Sequence, residues 1–351
     1  MRGRGPKNKK LVLSLLLLAA LAALAGAPLV GLHALSLHSI LHPAPGNLES
    51  DIFWRIRVPR VCVSFMAGAA LAVSGMAFQA IFRNPLATPF TLGVASGASF
   101  GAAVYVRLGL ALSLWGISGL SAFAFGGAVL SIVLVYGLTR IRSGFSIGTM
   151  LLAGVALSFF FSSAILFAQY MSDFANSFRI LRWLMGGLDV AGFEAVLNMA
   201  PFVASGAAII LVLTHELNLL LTGEEIAISR GANVGRIKKV LFFATSLMVG
   251  GVVAVCGPIG FVGMMAPHIC RLLVGADHRY LTPATLLFGG AFLTVCDVLG
   301  RTLIAPAEMP VGIITALLGG PSSSGFSSAD LQRQGCYDGT PTDDGNRPLD
   351  E

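Results

Sequence analysis

Long apolar runs recur along the chain, separated by short segments that carry the charged, proline and glycine residues. Between its charged ends each run is apolar or small all round, without the polar stripe of a soluble amphipathic helix, and this is typical of helices in lipid. The pattern predicts an all-α polytopic membrane protein with about ten transmembrane helices. The expected spans are 11–34, 60–82, 91–107, 110–138, 147–170, 194–214, 238–256, 258–272, 281–300 and 309–320.

Two of these spans are short for a hydrocarbon core of about 30 Å. At 1.5 Å per residue, 309–320 would cover only roughly 18 Å, so the last helix is expected to be truncated. The 258–272 run is expected to be a short or partly re-entrant helix buried among its neighbours.

Composition agrees with a membrane bundle. The 351 residues are 55% hydrophobic and 11% charged, with a mean hydropathy of +0.81, whereas soluble domains average about 25% charged residues. The net charge of +6 does not indicate nucleic-acid binding, because the basic residues lie in short loops between spans. Five cysteines without a C-x-x-C spacing suggest small core residues, with no disulfide framework, metal site or cofactor.

The ends of the chain differ from the bundle. Residues 1–10 are basic, and the uncharged stretch that follows, 11–40, exceeds the roughly 7–15 apolar residues of a signal peptide, so an uncleaved first span is expected. Segments predicted inside hold 16 of the 23 basic residues, which favours a cytoplasmic N-terminus. The permease domain would cover 11–320, and the polar tail 321–351, with six acidic residues against two basic ones, is expected to be disordered.

No catalytic signature is present in the sequence. It contains no G-x-x-x-x-G-K-[ST] phosphate loop, no H-E-x-x-H and no G-x-S-x-G. The chain is therefore not expected to be an enzyme, and uphill transport would need a partner ATPase or an ion gradient.

Residues 57–97 carry four ordered motifs: R-x-P-R, G-A-A-L-A-x-S-G, Q-x-x-x-R-N-P-L-A-x-P and L-G-V-x-S-G-A. Together they resemble the FecCD family of ABC importer permeases, which carry iron–siderophore complexes, haem or cobalamin. The resemblance extends over about 48–320 and is lost in the tail. It implies a type II importer fold and a homodimer, with two ATP-binding subunits below and a periplasmic or lipid-anchored binding protein above.

The polar stretch 215–239, HELNLLLTGEEIAISRGANVGRIKK, is either a plain solvated loop or a docking element. Its L-N-L-L-x-x-G-E-E-x-A-x-x-x-G string resembles the family's coupling segment, which contacts the ATPase. Acidic residues early in a short helix also suit the positive end of the helix dipole. The residues that the resemblance assigns to coupling are Leu217, Asn218, Gly223, Glu224, Glu225 and Gly231.

A second family string covers 257–277 and ends in P-H-x-x-R-x-x-x-G. The position of His268 favours packing or capping over ligand binding. Further on, Asp297 and Arg301 are spaced i,i+4 and are expected to pair near the outer face.

Two groups of residues are candidates for transport roles. Arg57, Arg60 and Arg301 lie at predicted outer helix ends, where they would either reach the interface as long cations do or dock an acidic binding protein. The resemblance also points to an inner gate that closes by steric contact. Its candidate residues are Asn84, Leu86, Ile147, Gly148 and Thr149.

The leading hypothesis is the permease subunit of a binding-protein-dependent importer for an iron–siderophore complex, in the bacterial inner membrane. Haem or cobalamin import is the alternative within the family. An ion-coupled secondary transporter would bury ionisable residues in mid-span, and the predicted spans contain almost none away from their ends. A non-transporting scaffold would not need the coupling-segment match.

Overall fold

The computed structural model describes residues 8–31, 36, 38, 40, 47–114, 116–143 and 147–321. The predicted tail 321–351, apart from Pro321, and residues 1–7 lie outside this part of the chain. The helices in chain order are α1 (Lys9–Gly26), α2 (Leu48–Phe82), α3 (Val94–Arg107), α4 (Gly119–Ser143), α5 (Ile147–Tyr170), α6 (Phe174–Leu184), α7 (Glu194–Val212), α8 (Thr214–Thr222), α9 (Glu224–Ser229), α10 (Val234–Cys256), α11 (Val262–Val274), α12 (His278–Thr302) and α13 (Val311–Pro321).

The predicted all-α membrane fold is confirmed, and the span lengths refine it. Seven described helices are long and apolar enough to cross a membrane: α1, α2, α4, α5, α7, α10 and α12. The predicted spans 91–107, 258–272 and 309–320 correspond to the shorter helices α3, α11 and α13. The prediction for 110–138 began too early, because Ser113 and Ser118 pair in a two-strand hairpin before α4 starts.

Helix α2 forms the centre of the bundle, and all its residues from 67 to 82 are buried. Its glycines permit close helix crossings. A Cβ at Gly75 would collide with the carbonyl oxygen of Gly263 in α11, and one at Gly68 would lie 2.6 Å from Leu293 Cβ in α12. Small residues at such crossings let backbones approach, which is how helices associate in lipid without a hydrophobic driving force.

The short helix predicted at 258–272 is present as α11, which follows a non-helical stretch, 257–261. Gly257 and Phe261 both have positive φ there, 68° and 66°. A neighbouring loop satisfies the end of α10 just before this stretch, since Gly187 N donates to Cys256 O at 2.9 Å. Gly257 and Ile259 in this stretch are buried in the protein, which is where membrane proteins tolerate irregular backbone.

The two ends of the bundle have different contents. We call the end of the bundle that contains α8, α9 and the C-terminus of α2 the inner end. The opposite end, which contains α6, the hairpin and the loop between α12 and α13, is the outer end. Lys9 Nζ lies 5.1 Å from the ring centroid of Tyr280, near the start of α12, so α1 begins at the inner end.

Candidate functional site

The predicted coupling segment folds as two short helices at the inner end. Gly223 separates α8 from α9 with φ of 126°, a conformation that L side chains rarely adopt, and Gly231 at φ 83° ends the pair. Leu217 is fully buried and anchors α8 in the core, beside Leu220. The segment therefore projects from the bundle as a structured element.

Apolar side chains are exposed on this segment. Ile226 and Ile228 in α9 are 46% and 60% exposed, and Leu221 at the end of α8 is 45% exposed. Glu225 is also exposed. An apolar patch rimmed by polar residues at a loop is typical of a protein–protein contact. Sequence reasoning missed these isoleucines because it read the loop by its charges.

Glu224 differs from Glu225 in its contacts. Its carboxylate pairs with Lys238 Nζ at 2.5 Å, and the Lys238 side chain is only 5% exposed. The pair holds α9 against the start of α10. Glu224 thus has a stabilising role inside the segment, whereas Glu225 faces outward.

Asn218 joins the segment to α12. Its Oδ1 accepts from the backbone N–H of His278 at 2.9 Å, and its Nδ2 donates to Asp277 Oδ1 at 2.9 Å. Burial opposes ionisation of Asp277, but the hydrogen bonds from Arg279 N and Asn218 and the charges of Lys9 and Arg279 hold its pKa below the usual value. The N-terminus of a spanning helix is therefore tied to the predicted coupling segment.

The turn after α2 is tied to the segment as well. Arg83, in the left-handed region at φ 50°, donates from Nη2 to Leu220 O at 3.2 Å. Next to it, Asn84 Oδ1 accepts from Leu86 N at 2.9 Å and closes a local turn. The Leu86 side chain is 61% exposed and borders a 170 Å³ apolar cavity with Phe261.

The other predicted gate residues lie in the first turn of α5, also at the inner end. Gly148 is exposed and Thr149 is half-buried, while the side chain of Ile147 lies outside the described residues. The described contact between α5 and the 89–92 turn is further along α5, where a Cβ at Gly154 would lie 2.6 Å from Leu92 Cα. Both gate elements thus occupy the same end of the bundle.

At the outer end, Arg57 and Arg301 are each only 6% exposed. The two side chains are thus less accessible than the docking expectation assumed, and their role in docking stays a prediction. Arg57 donates from Nη1 to Pro28 O at 3.1 Å, and Arg301 donates to the carbonyl oxygens of Ala27 and Val30, both at 3.3 Å. Both guanidinium groups thus donate to carbonyl oxygens of the turn that directly follows α1. These two arginines therefore fasten the outer end of α1.

Arg60 belongs to an ion-pair chain between α2 and α12. Its Nε lies 3.0 Å from Asp297 Oδ1, and its Nη1 lies 2.8 Å from Glu308 Oε2. The predicted i,i+4 pair is confirmed, with Arg301 Nε 3.2 Å from Asp297 Oδ2. Asp297 is buried, whereas the Glu308 side chain is 40% exposed. Of these three linked ion pairs, only Arg60–Glu308 reaches the surface.

Sequence reasoning did not find helix α6. Asp173 caps it by accepting from Asn176 N at 3.1 Å, and a cavity of about 400 Å³ lies between it and the loop that follows. Arg182 in this helix pairs with Asp189 at 2.9 Å. The D-x-x-N start was the available signal. Among the described residues, no cluster of three His, Cys, Asp or Glu is arranged to hold a metal ion.

Comparisons with known proteins agree with this arrangement. Residues 12–322 match the FecCD transport family. The hemin transport system permease of Yersinia pestis is 35% identical over 90% of this chain and 95% of its own length. An uncharacterized ABC transporter permease protein of Bacillus subtilis, YvrB, is 40% identical over 78% of each chain.

A solved structure gives the same result at the level of the fold. A metal-chelate type ABC transporter in an inward-facing conformation superposes with a TM-score of 0.81 at 31% identity, covering 91% of this chain and 99% of its own. The multi-pass bundle, with no ATPase motif of its own and a structured polar segment at one end, fits a subunit that works with a separate ATP-binding subunit and a substrate-binding protein. The chain belongs to the FecCD transport family and is a membrane-embedded permease subunit of an ABC importer.

Proposed function

We propose that this permease carries an iron–siderophore complex across the bacterial inner membrane, driven by ATP hydrolysis on a partner subunit. A relative from Bacillus subtilis named for Fe(3+)-citrate import is 35% identical over 79% of this chain, and the similar solved structure is of metal-chelate type. Haem is the second candidate, because the hemin permease of Yersinia pestis matches over nearly its whole length. Cobalamin permeases are also among the relatives.

The observation that carries the ATP-driven mechanism is the coupling segment. It presents exposed Ile226 and Ile228, while Asn218 and Leu220 connect it to α12 and to the turn after α2. Movement of a docked ATPase would thus reach two spanning helices directly. An ion-coupled carrier would have no need of such a surface.

The ATPase contact is tested with a matched pair of variants. Ile226→Asp with Ile228→Asp places charges in the proposed contact, whereas Ile117→Asp places one at an exposed isoleucine of the outer hairpin. The double variant is expected to insert normally but to lose the ATPase subunit on co-purification, and the control to retain it. Retention of the ATPase and normal uptake by the double variant would exclude this contact.

In the proposed complex, each permease crosses the membrane ten times and has a cytoplasmic N-terminus. Two permease copies assemble with two ATPase subunits. Helix α1 begins at the same end as the coupling segment, which supports the orientation. A second copy would cover apolar side chains that α5 exposes, among them Phe159 and Phe167. Chemical labelling of single cysteines at either end of α1 in spheroplasts tests the orientation.

The inner gate is proposed at Asn84 and Leu86 after α2 and at Ile147–Thr149 at the start of α5. The gate residues themselves are neutral and Leu86 is exposed, so closure by steric contact is favoured over an electrostatic barrier. Cysteines at positions 86 and 149 should change their labelling rate between the nucleotide-free and ATP-trapped complexes. Constant labelling across these states would place the gate elsewhere.

The cargo is tested by uptake in a deletion strain. Labelled ferric siderophores, ferric citrate, hemin and cobalamin are supplied separately, with the binding protein and ATPase intact. The proposal expects uptake of a ferric siderophore that fails with a hydrolysis-deficient ATPase and survives a protonophore. Uptake of hemin alone would establish haem as the cargo. If uptake is lost with the protonophore but not with the hydrolysis-deficient ATPase, the protein is an ion-coupled carrier.

A further inference from the structure

A cavity of about 490 Å³ opens between the C-terminal part of α2, α11 and α8. Helix α2 contributes one face to it, at positions 76, 79 and 80, which follow the i, i+3, i+4 spacing of a helix surface, and Arg83 of the following turn extends this face. Arg271, from the last turn of α11, and His278, from the first turn of α12, line the other side. The volume is in the range of small-ligand sites.

The charge of this cavity is one-sided. Arg83 and Arg271 both line it, and its described lining contains no aspartate or glutamate. Within the described part of the chain, no carboxylate lies within 4.0 Å of either guanidinium. The nearby Asp277 is directed to Asn218 and to the backbone of Arg279.

Both guanidinium groups are held in place by neutral acceptors. Arg83 donates to Leu220 O at 3.2 Å. Arg271 donates to Gln79 Oε1, and Gln79 in turn donates to the carbonyl oxygens of Gly263 and Met264 at 3.4 Å. A guanidinium has five N–H donors in a planar fork, so each retains donors after these bonds are made. Such forks match the oxygens of carboxylates and phosphates in a bidentate way.

We propose that this cavity is a binding site for an oxyanion of the carboxylate or phosphate class, which enters from the inner end. Asn84 of the proposed gate and Leu221 of the coupling segment line the same cavity. A bound anion would therefore contact the gate turn, α11 and the coupling segment together. The anion's source is either a soluble small molecule or the phosphate of a lipid headgroup.

Binding is tested on the full chain in phosphatidylcholine nanodiscs, without its partners, so the result does not depend on transport. Inorganic phosphate and citrate are titrated at ionic strength matched with sodium chloride, and the thermal unfolding midpoint is followed. A saturable rise is expected. Arg271→Gln and Arg83→Gln should each weaken the apparent affinity by about tenfold or more, as loss of a charge-assisted hydrogen bond predicts.

The matched control is Arg279→Gln, an exposed arginine at the same end that does not line the cavity, and its affinity should equal that of the wild type. If Arg271→Gln does not fold, Arg271→Lys keeps the charge without the fork and should bind at an intermediate affinity. The lipid arm uses nanodiscs with phosphatidylglycerol and counts retained lipids by native mass spectrometry. A phosphatidylglycerol that the wild type retains, that Arg271→Gln loses and that Arg271→Lys retains in reduced amount identifies a headgroup as the anion. If neither arm shows an effect specific to Arg83 and Arg271, the proposal is overturned.

Discussion

Asn218 caps the helix that begins at His278. The side-chain oxygen of Asn218 lies 2.9 Å from the backbone nitrogen and 3.0 Å from the ring Nδ1 of His278, 60 residues further along the chain. His278 is itself buried. A residue of the predicted coupling segment thus caps this helix together with the local Asp277, which accepts from Arg279 N at 3.0 Å, so α8 and α12 are expected to move together.

Replacing Asn218 by Ala should loosen that connection. Loss of its partly buried hydrogen bonds is expected to cost about 1–3 kcal/mol of stability and to lower the uptake obtained per ATP hydrolysed. Asn233→Ala is the matched control, since Asn233 caps α10 within the segment by accepting from Arg236 N. Uptake per ATP is measured in reconstituted vesicles. Equal coupling ratios in the two variants would contradict a linking role for Asn218.

Glu224 and Glu225 are adjacent but should respond differently to neutralisation. Glu224→Gln leaves the buried Lys238 without its ion pair, so the free energy of unfolding is expected to fall by roughly 1–3 kcal/mol. The loss is smaller than for a fully buried pair because the Glu224 side chain is 40% exposed. Glu225→Gln should leave stability unchanged and weaken ATPase binding. Thermal unfolding and co-purification separate the two effects. A stable Glu224→Gln variant would show that the Lys238 pair contributes little.

The helical class and the approximate spans could be predicted from the sequence, because lipid imposes a length and an apolar surface on each crossing helix. It also identified the short helix α11 and the Asp297–Arg301 pair, which depend on local spacing. The start of α4 was misplaced because an apolar hairpin, in which 113–114 pairs with 117–118, extends the hydrophobic run. Periodicity alone does not separate such a hairpin from a helix.

The environment of the arginines could not be predicted from the sequence. Arg301 bonds to the carbonyl of Ala27, 274 residues away, and no local pattern encodes that proximity. Likewise, Ile226 and Ile228 resemble core residues in a helix pattern, and only the packing of α9 shows that they are exposed. The assignment of all three arginines to docking rested on position along the chain, which does not reveal burial.

The glycine crossings give a prediction about assembly. Gly75→Ala should be destabilising by about 1–3 kcal/mol, because its Cβ would collide with the backbone of Gly263 and a packed interior yields little. Gly137→Ala in α4 has open space around the new Cβ and should be neutral or stabilising by about 0.5–1 kcal/mol. Thermal unfolding in detergent compares the two. Equal midpoints would show that α2 and α11 can separate without cost.

Arg57→Gln should release the outer end of α1. The carbonyl oxygens of Pro28 and Leu29 would lose their buried donor, at a cost of about 1–3 kcal/mol. The unfolding midpoint is therefore expected to fall, with a matching loss of folded protein in the membrane. Arg55→Gln is the control, since Arg55 is exposed and pairs only at the surface with Asp51. If Arg57→Gln is as stable as this control and instead loses affinity for the binding protein, Arg57 has a docking role rather than an anchoring one.

Arg60 and Glu308 test, through opposite effects, the expectation that the outer arginines dock an acidic binding protein. If an acidic residue of the binding protein takes the place of Glu308 on Arg60, then Glu308→Gln removes a competitor and should strengthen binding, whereas Arg60→Gln should weaken it. A surface pair is worth about 0.2–1 kcal/mol, so each change is expected to be about 1.4-fold to 5-fold. The affinity for the binding protein is measured for both variants in nanodiscs at low and physiological salt. The difference in affinity between the two variants should shrink as salt rises, because exposed charges are screened. Changes of the same sign, or none at low salt, would leave Arg60 with only its structural role beside Asp297.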